Sequence, residues 1–314
     1  MTADLTGGPG APASTDPLAA LRAAARARTE QRESAKAAHH AERAQHGRAK
    51  RSLDELREIA RRGAELLHGA GTPGVEGATR PEATAEEVIA WAAREFGTSV
   101  AVACSMADAV LPHVVATQIP WVDVLFLDTG YHFAETVGTR DAVEQQMDVT
   151  IVDVRPDLTV AQQDAAHGKD LFGRDPALCC QLRKVEPLHR TLAGYEVWVT
   201  GVRRDEAPTR TSTPLVTFDE KNGLVKINPL AAWSFDDLLA YAARHQVILN
   251  PLLNDGYPSI GCRPCTRRVA PAWPLPPAHG VCRRAPCPGG YVHADRRTRA
   301  PGPAVRRRAE AAQG

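Results

Sequence analysis

The sequence contains no uninterrupted apolar run that approaches the roughly 18 to 20 residues needed to cross a membrane. Its N-terminus also lacks the short apolar block and small-residue cleavage site of a secretion signal. These absences predict a cytoplasmic protein with no membrane partner. At 314 residues, 43% of them hydrophobic, the chain is long enough for one large folded domain or two modest ones.

A strong net charge is also lacking, because the formal charge of the whole chain is only +1. The charge is distributed unevenly: residues 1–51 carry +4, residues 272–314 carry +6, and residues 52–271 carry −9. A net acidic central part predicts that the protein has no nucleic-acid partner. An anionic ligand there must be held by a local group of Arg, Lys and backbone N–H groups.

Both ends of the chain lack the branched apolar side chains that build a core. Residues 1–51 are mostly Ala, Arg, Glu, Gln and His after Leu21, which predicts a disordered or frayed helical extension. Residues 272–314 are almost entirely Pro, Arg, Ala, Gly, Cys and His, which predicts a divergent, disordered tail. The folded domain is therefore expected over residues 52–271.

The central part alternates between helical and strand patterns. Apolar residues at helical spacing predict a helix from Leu53 to Leu67, and Thr84 with Glu87 forms a capping-box pattern before a second helix near Ala85–Phe96. Five short apolar runs follow, at Val100–Ala103, Val122–Leu127, Val149–Val154, Val197–Thr200 and Val225–Ile227. Helical patterns lie between several of them. We therefore predict an α/β fold with a doubly wound, mostly parallel sheet, whose ligands bind beyond the carboxyl ends of the strands.

The sequence contains seven cysteines but no secretion signal. Metal binding or catalysis is therefore a better expectation for them than disulfide formation. The pair Cys179-Cys180 is followed, after 81 intervening residues, by the pair Cys262-Arg-Pro-Cys265. Four thiolates from two distant segments suit either a zinc ion or a [4Fe–4S] cluster. Adjacent cysteines on a helix point about 100° apart, which a bulky cluster accommodates better than a single ion.

The residues around the first pair support a thiolate site. Asp175 and Pro176 are typical of an N-cap and a first helical residue, which would place the cysteines near a helix N-terminus, where thiolates are stabilised. Arg183 and Lys184 follow four residues after the pair, on the same helical faces. Their charges would offset the negative charge of a cluster held by four thiolates.

Several long motifs occur in one order along the chain: Phe126-Leu-Asp128-Thr-Gly130-Tyr-His132, Leu178-Cys-Cys-Gln-Leu-Arg-Lys-Val-Glu-Pro187, Thr200-Gly-Val-Arg-Arg-Asp205-Glu206 with Thr209-Arg210, Asn250-Pro-Leu-Leu-Asn254, and Tyr257-Pro-Ser-Ile-Gly-Cys262-Arg-Pro-Cys265-Thr266. In these motifs the stretch from about Leu53 to Pro271 resembles the assimilatory adenylyl-sulfate and phosphoadenylyl-sulfate reductases. The resemblance implies a nucleotide α-hydrolase fold, related to the pyrophosphatase-loop enzymes.

The cysteine pairs resemble those of the cluster-bearing branch of that family, which uses adenylyl sulfate. The resemblance implies a [4Fe–4S] cluster on Cys179, Cys180, Cys262 and Cys265. It also implies thioredoxin-dependent reduction of adenylyl sulfate to sulfite and AMP, in sulfate assimilation and cysteine biosynthesis. In the family a C-terminal cysteine attacks the sulfate sulfur, AMP leaves, and thioredoxin releases sulfite from the S-sulfonated enzyme. The sequence leaves homo-oligomerisation open.

The resemblance also implies a set of substrate-binding residues: Ser105, Asp128, Lys184, Arg203, Arg204 and Arg210. Ser105 follows a strand and precedes a helix, where a hydroxyl and backbone N–H groups can hold an anion; a plain N-cap serine is the alternative. The arginines offer guanidinium forks for a phosphosulfate, against the alternative of solvated surface residues. Asp128 is alternatively a turn former, and Lys184 a surface lysine.

The C-terminal pattern departs from the family. Residues 272–314 contain no Glu-Cys-Gly-Leu-His segment, so no nucleophile is assigned, and Cys282 and Cys287 are weak candidates in a coil that positions them poorly. A frameshift in the gene is one hypothesis for this segment. Ala107 also stands where relatives usually have an acidic residue.

Two other functions are weighed against the reductase. The first alternative is a non-catalytic pseudo-enzyme that binds a nucleotide together with an iron–sulfur cluster or zinc. A sulfur-transfer enzyme acting on tRNA would need a Ser-Gly-Gly-x-Asp-Ser loop and a basic face. Residues 103–108 and the central charge of −9 contradict both requirements.

Overall fold

The computed structural model describes residues 17–45 and 50–269. The chain divides into two compact units, residues 1–49 and residues 50–314. The described part of the first unit is one helix, α1 (Pro17–Gln45), in the segment where the sequence predicts a frayed extension. Its leucines, Leu18 and Leu21, are exposed. The predicted tail over residues 272–314 lies outside the described residues and stays a prediction.

Two capped helices open the second unit. Helix α2 (Leu53–Leu67) begins with a capping box between Ser52 and Glu55, and α3 (Ala85–Phe96) begins with the predicted box between Thr84 and Glu87. In each box the N-cap hydroxyl and the carboxylate accept backbone N–H groups that would otherwise lack partners at the helix start. Both predicted helices are therefore confirmed.

A single sheet of six strands forms the centre of this unit. The strands are β1 (Val100–Cys104), β2 (Val122–Leu127), β3 (Val149–Val154), β4 (Val197–Thr200), β5 (Val216–Asp219) and β6 (Leu224–Ile227). Their order is β3-β2-β1-β4-β6-β5, and only the edge strand β5 is antiparallel to its neighbour. The predicted mostly parallel sheet is confirmed, and each of the five predicted runs forms a strand. Strand β5 was not predicted.

Helices cover both faces of the sheet. The remaining helices are α4 (Val110–Ala116), α5 (Ala134–Gln146), α6 (Val160–His167), α7 (Leu171–Arg174), α8 (Pro176–Cys180), α9 (Glu186–Leu192) and α10 (Phe235–His245). Alternate residues of a strand point to opposite faces. Val100 and Val102 accordingly belong to a large core shared with α2, α3, α4 and α10, whereas Ala101 belongs to a smaller core shared with α9. Among the described residues, no helix is both long enough and apolar enough to span a bilayer.

Helix α2 packs closely against α3 at a glycine. A Cβ added to Gly63 would lie 2.4 Å from Cζ2 of the buried Trp91 ring. A glycine inside a helix is normally less stable than alanine, because it has more backbone freedom to lose on folding. Here the absent Cβ is what allows the indole to pack against the helix.

We predict that Gly63→Ala destabilises the protein by about 1–3 kcal/mol, because the Trp91 ring or α2 must shift to relieve the overlap. The matched control is Gly138→Ala in α5, where a Cβ meets nothing within 4 Å, so that it should stabilise by about 0.4–1 kcal/mol. Urea unfolding of both variants measures the two free energies. Equal effects of the two substitutions would contradict this account of the α2–α3 contact.

Candidate functional site

The two cysteine pairs meet beside the turn that follows β2. Cys179, Cys180, Cys262 and Cys265 line one cavity, here called the thiol cavity. All four are free thiols; the first three are buried and Cys265 is half-buried. The structure thus brings together the two distant pairs that the sequence predicts to share a metal centre.

Local sequence places the first pair. The Asp175 carboxylate accepts the backbone N–H of Leu178 at 3.0 Å, and Pro176 is the first residue of α8, as predicted. A π-helical turn over Gln181–Val185 then joins α8 to α9. Such turns often occur at functional sites, because the extra residue redirects the side chains on one helical face. Within this turn Arg183 and Lys184 are both buried.

The Thr129 turn after β2 connects the two cysteine-bearing segments. The Thr129 hydroxyl oxygen lies 3.2 Å from the Cys262 sulfur, within hydrogen-bond distance. Its backbone carbonyl accepts a hydrogen bond from the Arg183 guanidinium. Two residues on, the Tyr131 carbonyl accepts the backbone N–H of Arg263 at 2.7 Å. One turn therefore fixes the position of both cysteine pairs relative to β2.

The residues of the thiol cavity fit a thiolate-bound metal centre. Arg183 is 3% exposed, and its guanidinium donates to the carbonyls of Thr129 and Leu158 and to the side-chain oxygen of Gln163. Among the described residues no carboxylate lies within ion-pairing distance of it, so thiolates bound to a metal would supply the missing negative charge. Burial, and then the neighbouring thiols, raise the pKa of Cys179 to about 12. Thiols in that state become ligands when a metal displaces their protons.

A single zinc ion is the alternative to a cluster at the thiol cavity. In residues 17–45 and 50–269, no group of three or more Cys, His, Asp or Glu side chains is compact enough to hold a single metal ion. A zinc ion with Zn–S distances near 2.3 Å requires its four sulfurs to lie roughly 4 Å from one another.

A second, smaller cavity adjoins the first. This middle cavity shares Thr129, Lys184 and Cys262 with the thiol cavity. On its other side it shares Ser105 and Leu127 with a much larger cavity of about 420 Å³, here called the trough. The three spaces therefore follow one another at the carboxyl ends of β1 and β2, where ligands of doubly wound sheets bind.

The cavities gather most of the predicted substrate-binding residues. Ser105 lines both the middle cavity and the trough, Lys184 lines the middle cavity, and Arg203 and Arg210 line the trough. The volume of the trough is within the range of cavities that bury small-molecule ligands, about 300–1,000 Å³.

Arg204 and Asp128 do not line any of the three cavities. The Arg204 guanidinium donates to both carboxylate oxygens of Glu82, at 2.7 and 2.9 Å. Asp128 accepts the backbone N–H of Gly130 at 3.2 Å and lies 3.4 Å from the Arg155 guanidinium. Asp128 is thus a turn-forming residue here, and Arg204 connects its loop to α3's N-terminal flank. Cys282 and Cys287 lie outside the described residues.

The two arginines of the trough share one carboxylate. Arg203 Nη1 lies 3.4 Å from Oε1 of Glu206, and the backbone N–H of Arg203 donates to Oε2 at 3.3 Å. Arg210 Nη1 contacts the same Oε2. Arg203 also donates from Nε to Asp205 at 3.2 Å. The trough therefore contains a carboxylate between its two guanidinium groups.

The loop after β1 carries Ser105 in a strained turn. Met106 is fully buried with φ of +58°, a left-handed conformation that costs a non-glycine residue about 1–3 kcal/mol. Ala109 is the N-cap residue of helix α4 and has no capping side chain, and the Asp108 carboxylate before it accepts the backbone N–H of Val110 at 2.9 Å. Burial raises the pKa of Asp108 above its usual value. The alternative interpretation of Ser105 as a helix N-cap is therefore wrong.

Asn250 holds this strained loop, a role that the sequence did not predict. Its side-chain N–H groups donate to the Met106 carbonyl at 3.0 Å and to the Thr136 hydroxyl at 3.1 Å. Its backbone N–H donates to the Ala107 carbonyl, and its side-chain oxygen caps the turn at Leu252. The side chain is fully buried. The Asn250-Pro-Leu-Leu-Asn254 motif was the signal, because an asparagine before a proline favours a turn.

Lys226 on β6 was also missed. Its ammonium lies 4.9 Å from the ring centroid of Trp198 on β4, and both residues line the trough. Burial lowers the pKa of Lys226. The indole N–H of Trp198 is buried without a partner among the described residues. A strand lysine opposite a tryptophan gives no sequence signal until the strand register is known.

Comparison with known proteins assigns this arrangement to a family. Residues 97–268 match the phosphoadenosine phosphosulfate reductase domain. The chain belongs to the phosphoadenosine phosphosulfate reductase family. The matched range contains all the residues that line the three cavities. The predicted family membership is confirmed.

Individual relatives agree with the family match. A protein named adenosine 5'-phosphosulfate reductase from Rhodococcus opacus is 53% identical over 227 residues, which cover 69% of this chain and 87% of the relative. The protein of the same name from Streptomyces coelicolor is 52% identical and covers 70% and 87%. Among solved structures, a phosphoadenylyl-sulfate reductase from Candida auris in a phosphate complex aligns with a TM-score of 0.51 and 29% identity. That alignment covers 59% of this chain and 90% of the other.

We predict that Asn250→Ala lowers the stability of this family member by about 2–4 kcal/mol, because it leaves buried acceptors at Met106 and Thr136 without their donor. The control is Asn254→Ala, at an exposed position of the same motif, which should change stability by no more than about 0.5 kcal/mol. Thermal unfolding of both variants measures the difference. Equal losses in the two would show that Asn250 does not hold the loop.

Proposed function

We propose that the chain reduces adenylyl sulfate to sulfite and AMP, with thioredoxin as the electron donor, in the cytoplasmic assimilation of sulfate. The proposal depends mainly on one observation, the continuity from the thiol cavity through the middle cavity, where Lys184 lies, to the trough. The names of the relatives point to the same reaction. A trough of nucleotide size beside a buried lysine and two arginines suits a nucleotide that ends in a strongly anionic group.

We further propose that Cys179, Cys180, Cys262 and Cys265 hold a [4Fe–4S] cluster. The adjacent residues Cys179 and Cys180 on one helix point about 100° apart, which a bulky cluster accommodates better than a single zinc ion. When bound, the cluster supplies a charged centre beside the middle cavity. Lys184 lines both spaces and is the residue whose ammonium can interact with the cluster side and with the substrate.

The reaction requires a nucleophilic thiolate and two reducing equivalents. The thiolate attacks the sulfate sulfur, an S–S bond forms, and the S–O bond to the phosphate breaks as AMP leaves with the electron pair. A thioredoxin thiolate then attacks the cysteine Sγ of the S-sulfonated enzyme, the bond from Sγ to the sulfonate sulfur breaks, and sulfite leaves with the electron pair. The second thioredoxin thiol resolves the resulting mixed disulfide. Lys184, Arg203 and Arg210 are proposed to stabilise the charge that develops on the leaving phosphate.

The identity of the nucleophile stays a prediction. Cys282 and Cys287 are the candidates from the sequence. Cys104, a further thiol that lines the middle cavity and the trough, is a poor substitute. Its sulfur lies 3.4 Å from the Asp108 carbonyl, and burial raises its pKa to about 12, so it stays protonated near neutral pH.

A non-catalytic nucleotide-binding protein is the alternative function. The same trough and thiol cavity would serve it, but the relatives are named as reductases and none of the comparisons favours it. Both functions require nucleotide binding, and they differ only in whether the protein turns over adenylyl sulfate.

The test of the reductase is to give the full chain adenylyl sulfate with reduced thioredoxin and to measure sulfite. We expect sulfite and AMP in equal amounts, and a loss of at least tenfold in Lys184→Ala, because removing a preorganised charge at a reacting centre costs about 10²–10³ in rate. The control omits thioredoxin and should release at most one AMP per chain and no free sulfite, because the S-sulfonated enzyme needs the thioredoxin thiolate to release it. Tight nucleotide binding without sulfite would favour the non-catalytic alternative.

The cluster proposal has its own test. Anaerobically purified protein should be brown and contain about four irons per chain. Cys262→Ser should lose most of the iron, because it removes one thiolate of the thiol cavity. Cys104→Ser is the matched control: this cysteine does not line the thiol cavity, so the iron content should be unchanged. Colourless wild-type protein that contains zinc would refute the cluster.

A further inference from the structure

Glu206 occupies the place in the trough where an anionic ligand is expected. Both of its carboxylate oxygens are engaged with guanidinium groups, Oε1 with Arg203 and Oε2 with Arg210. These are the two arginines of the trough that the proposed function assigns to the phosphosulfate. The carboxylate itself also lines the trough.

The surroundings keep this carboxylate in place. Glu206 ends a short 3₁₀ helix over Arg204–Glu206, and its Oε2 accepts the backbone N–H of Arg203 at 3.3 Å. Arg203 is 9% exposed, and its guanidinium stacks over the Phe235 ring at 5.6 Å from the centroid. The three charged groups are therefore largely shielded from water. Like charges in such surroundings repel one another more strongly than they do at the surface.

An incoming anion must therefore compete with Glu206. If the carboxylate stays, a dianionic group is placed beside a third negative charge. If it leaves, its ion pairs with both arginines are broken. In either case the cost falls on charged ligands and not on a neutral one, because a neutral ligand needs neither guanidinium.

We propose that Glu206 is an internal counter-anion that sets a charge threshold for ligands of the trough, so that only an anion able to neutralise both arginines better than one carboxylate binds tightly. The ligand class is a nucleotide with a dianionic phosphate or phosphosulfate group. Glu206 is thus a specificity-determining residue, and this role rests on the proposed function only in the choice of nucleotide.

Glu206→Gln tests the proposal, because the amide keeps the shape and can still accept the Arg203 N–H but carries no charge. Dissociation constants are measured by calorimetry on the full chain for adenosine, AMP, adenylyl sulfate and inorganic pyrophosphate at fixed pH and salt. We expect the variant to bind the three anionic ligands about tenfold more tightly, equivalent to ~1.4 kcal/mol, and adenosine with unchanged affinity.

Two control variants remove a negative charge elsewhere. Asp205→Asn also removes a carboxylate charge beside Arg203, but Asp205 does not line the trough, and Glu220→Gln removes an exposed carboxylate that pairs with Arg57. Both should change the affinity for anions by less than about threefold, since partly exposed charges are screened. Thermal unfolding confirms that all variants are folded.

Three kinds of result overturn the proposal. Weaker binding of anions by Glu206→Gln would make Glu206 a residue that positions the arginines. An equal gain for adenosine, or an equal gain in Asp205→Asn, would indicate a general change of the trough or of its charge. If adenylyl sulfate binds the wild type and Glu206→Gln equally, the proposed function survives and this inference fails. If only pyrophosphate binding improves and no adenylyl ligand binds either chain, the inference survives and the proposed function fails.

Discussion

The buried guanidinium of Arg183 holds together the segments that form the thiol cavity. Arg183 holds the Thr129 turn through a backbone carbonyl, and through Gln163 and Leu158 it also fixes the segment around α6. A charge in this position is costly unless negative groups approach it, and the thiols of the cavity that Arg183 lines are candidates for that role. Under the proposed function, thiolates bound to a metal would supply that negative charge. The thiol cavity, the orientation of Lys184 and the adjoining middle cavity are consequences of the same turn.

The topology explains why two segments separated by 81 residues can share one centre. Parallel strands bring their carboxyl ends to one edge, so the turn after β2, the loop after β1 and the loop after β4 are neighbours. Asn250 connects the last segment to that edge through Met106 and Thr136, and the chain then runs on to Cys262. The second cysteine pair is positioned by hydrogen bonds to the sheet edge and not by a secondary-structure element of its own.

The sequence predicted what depends on local pattern and missed what depends on long-range pairing. The buried parallel strands and the helices with capping boxes were predictable because apolar runs and Ser or Thr caps are local signals. Strand β5 was missed because Val216–Asp219 is a short edge strand with only its first residue buried. Arg204 was predicted to bind the substrate because the nearby Arg203 and Arg210 were predicted to bind it. Its actual partner, Glu82, lies 122 residues away, and nothing near Arg204 indicates it. The contacts of Glu206 could have been predicted from the sequence, because Arg203 and Arg210 lie three and four residues from it along the chain.

The electrostatics of the trough contrast with those of the domain that contains it. Residues 52–271 carry a net charge of −9, so the general field of this part of the chain opposes the approach of an anion. The proposed binding of an anion must then come from short-range contacts with Arg203, Arg210 and Lys226, which line the trough. Of these three cations, two already have a carboxylate partner, and the third is held over Trp198 with a lowered pKa. Under the proposed function, a site built in this way would reject weak anions and retain those whose charge is concentrated and whose uncharged part fills the trough, which is the property that separates a phosphosulfate nucleotide from free sulfate.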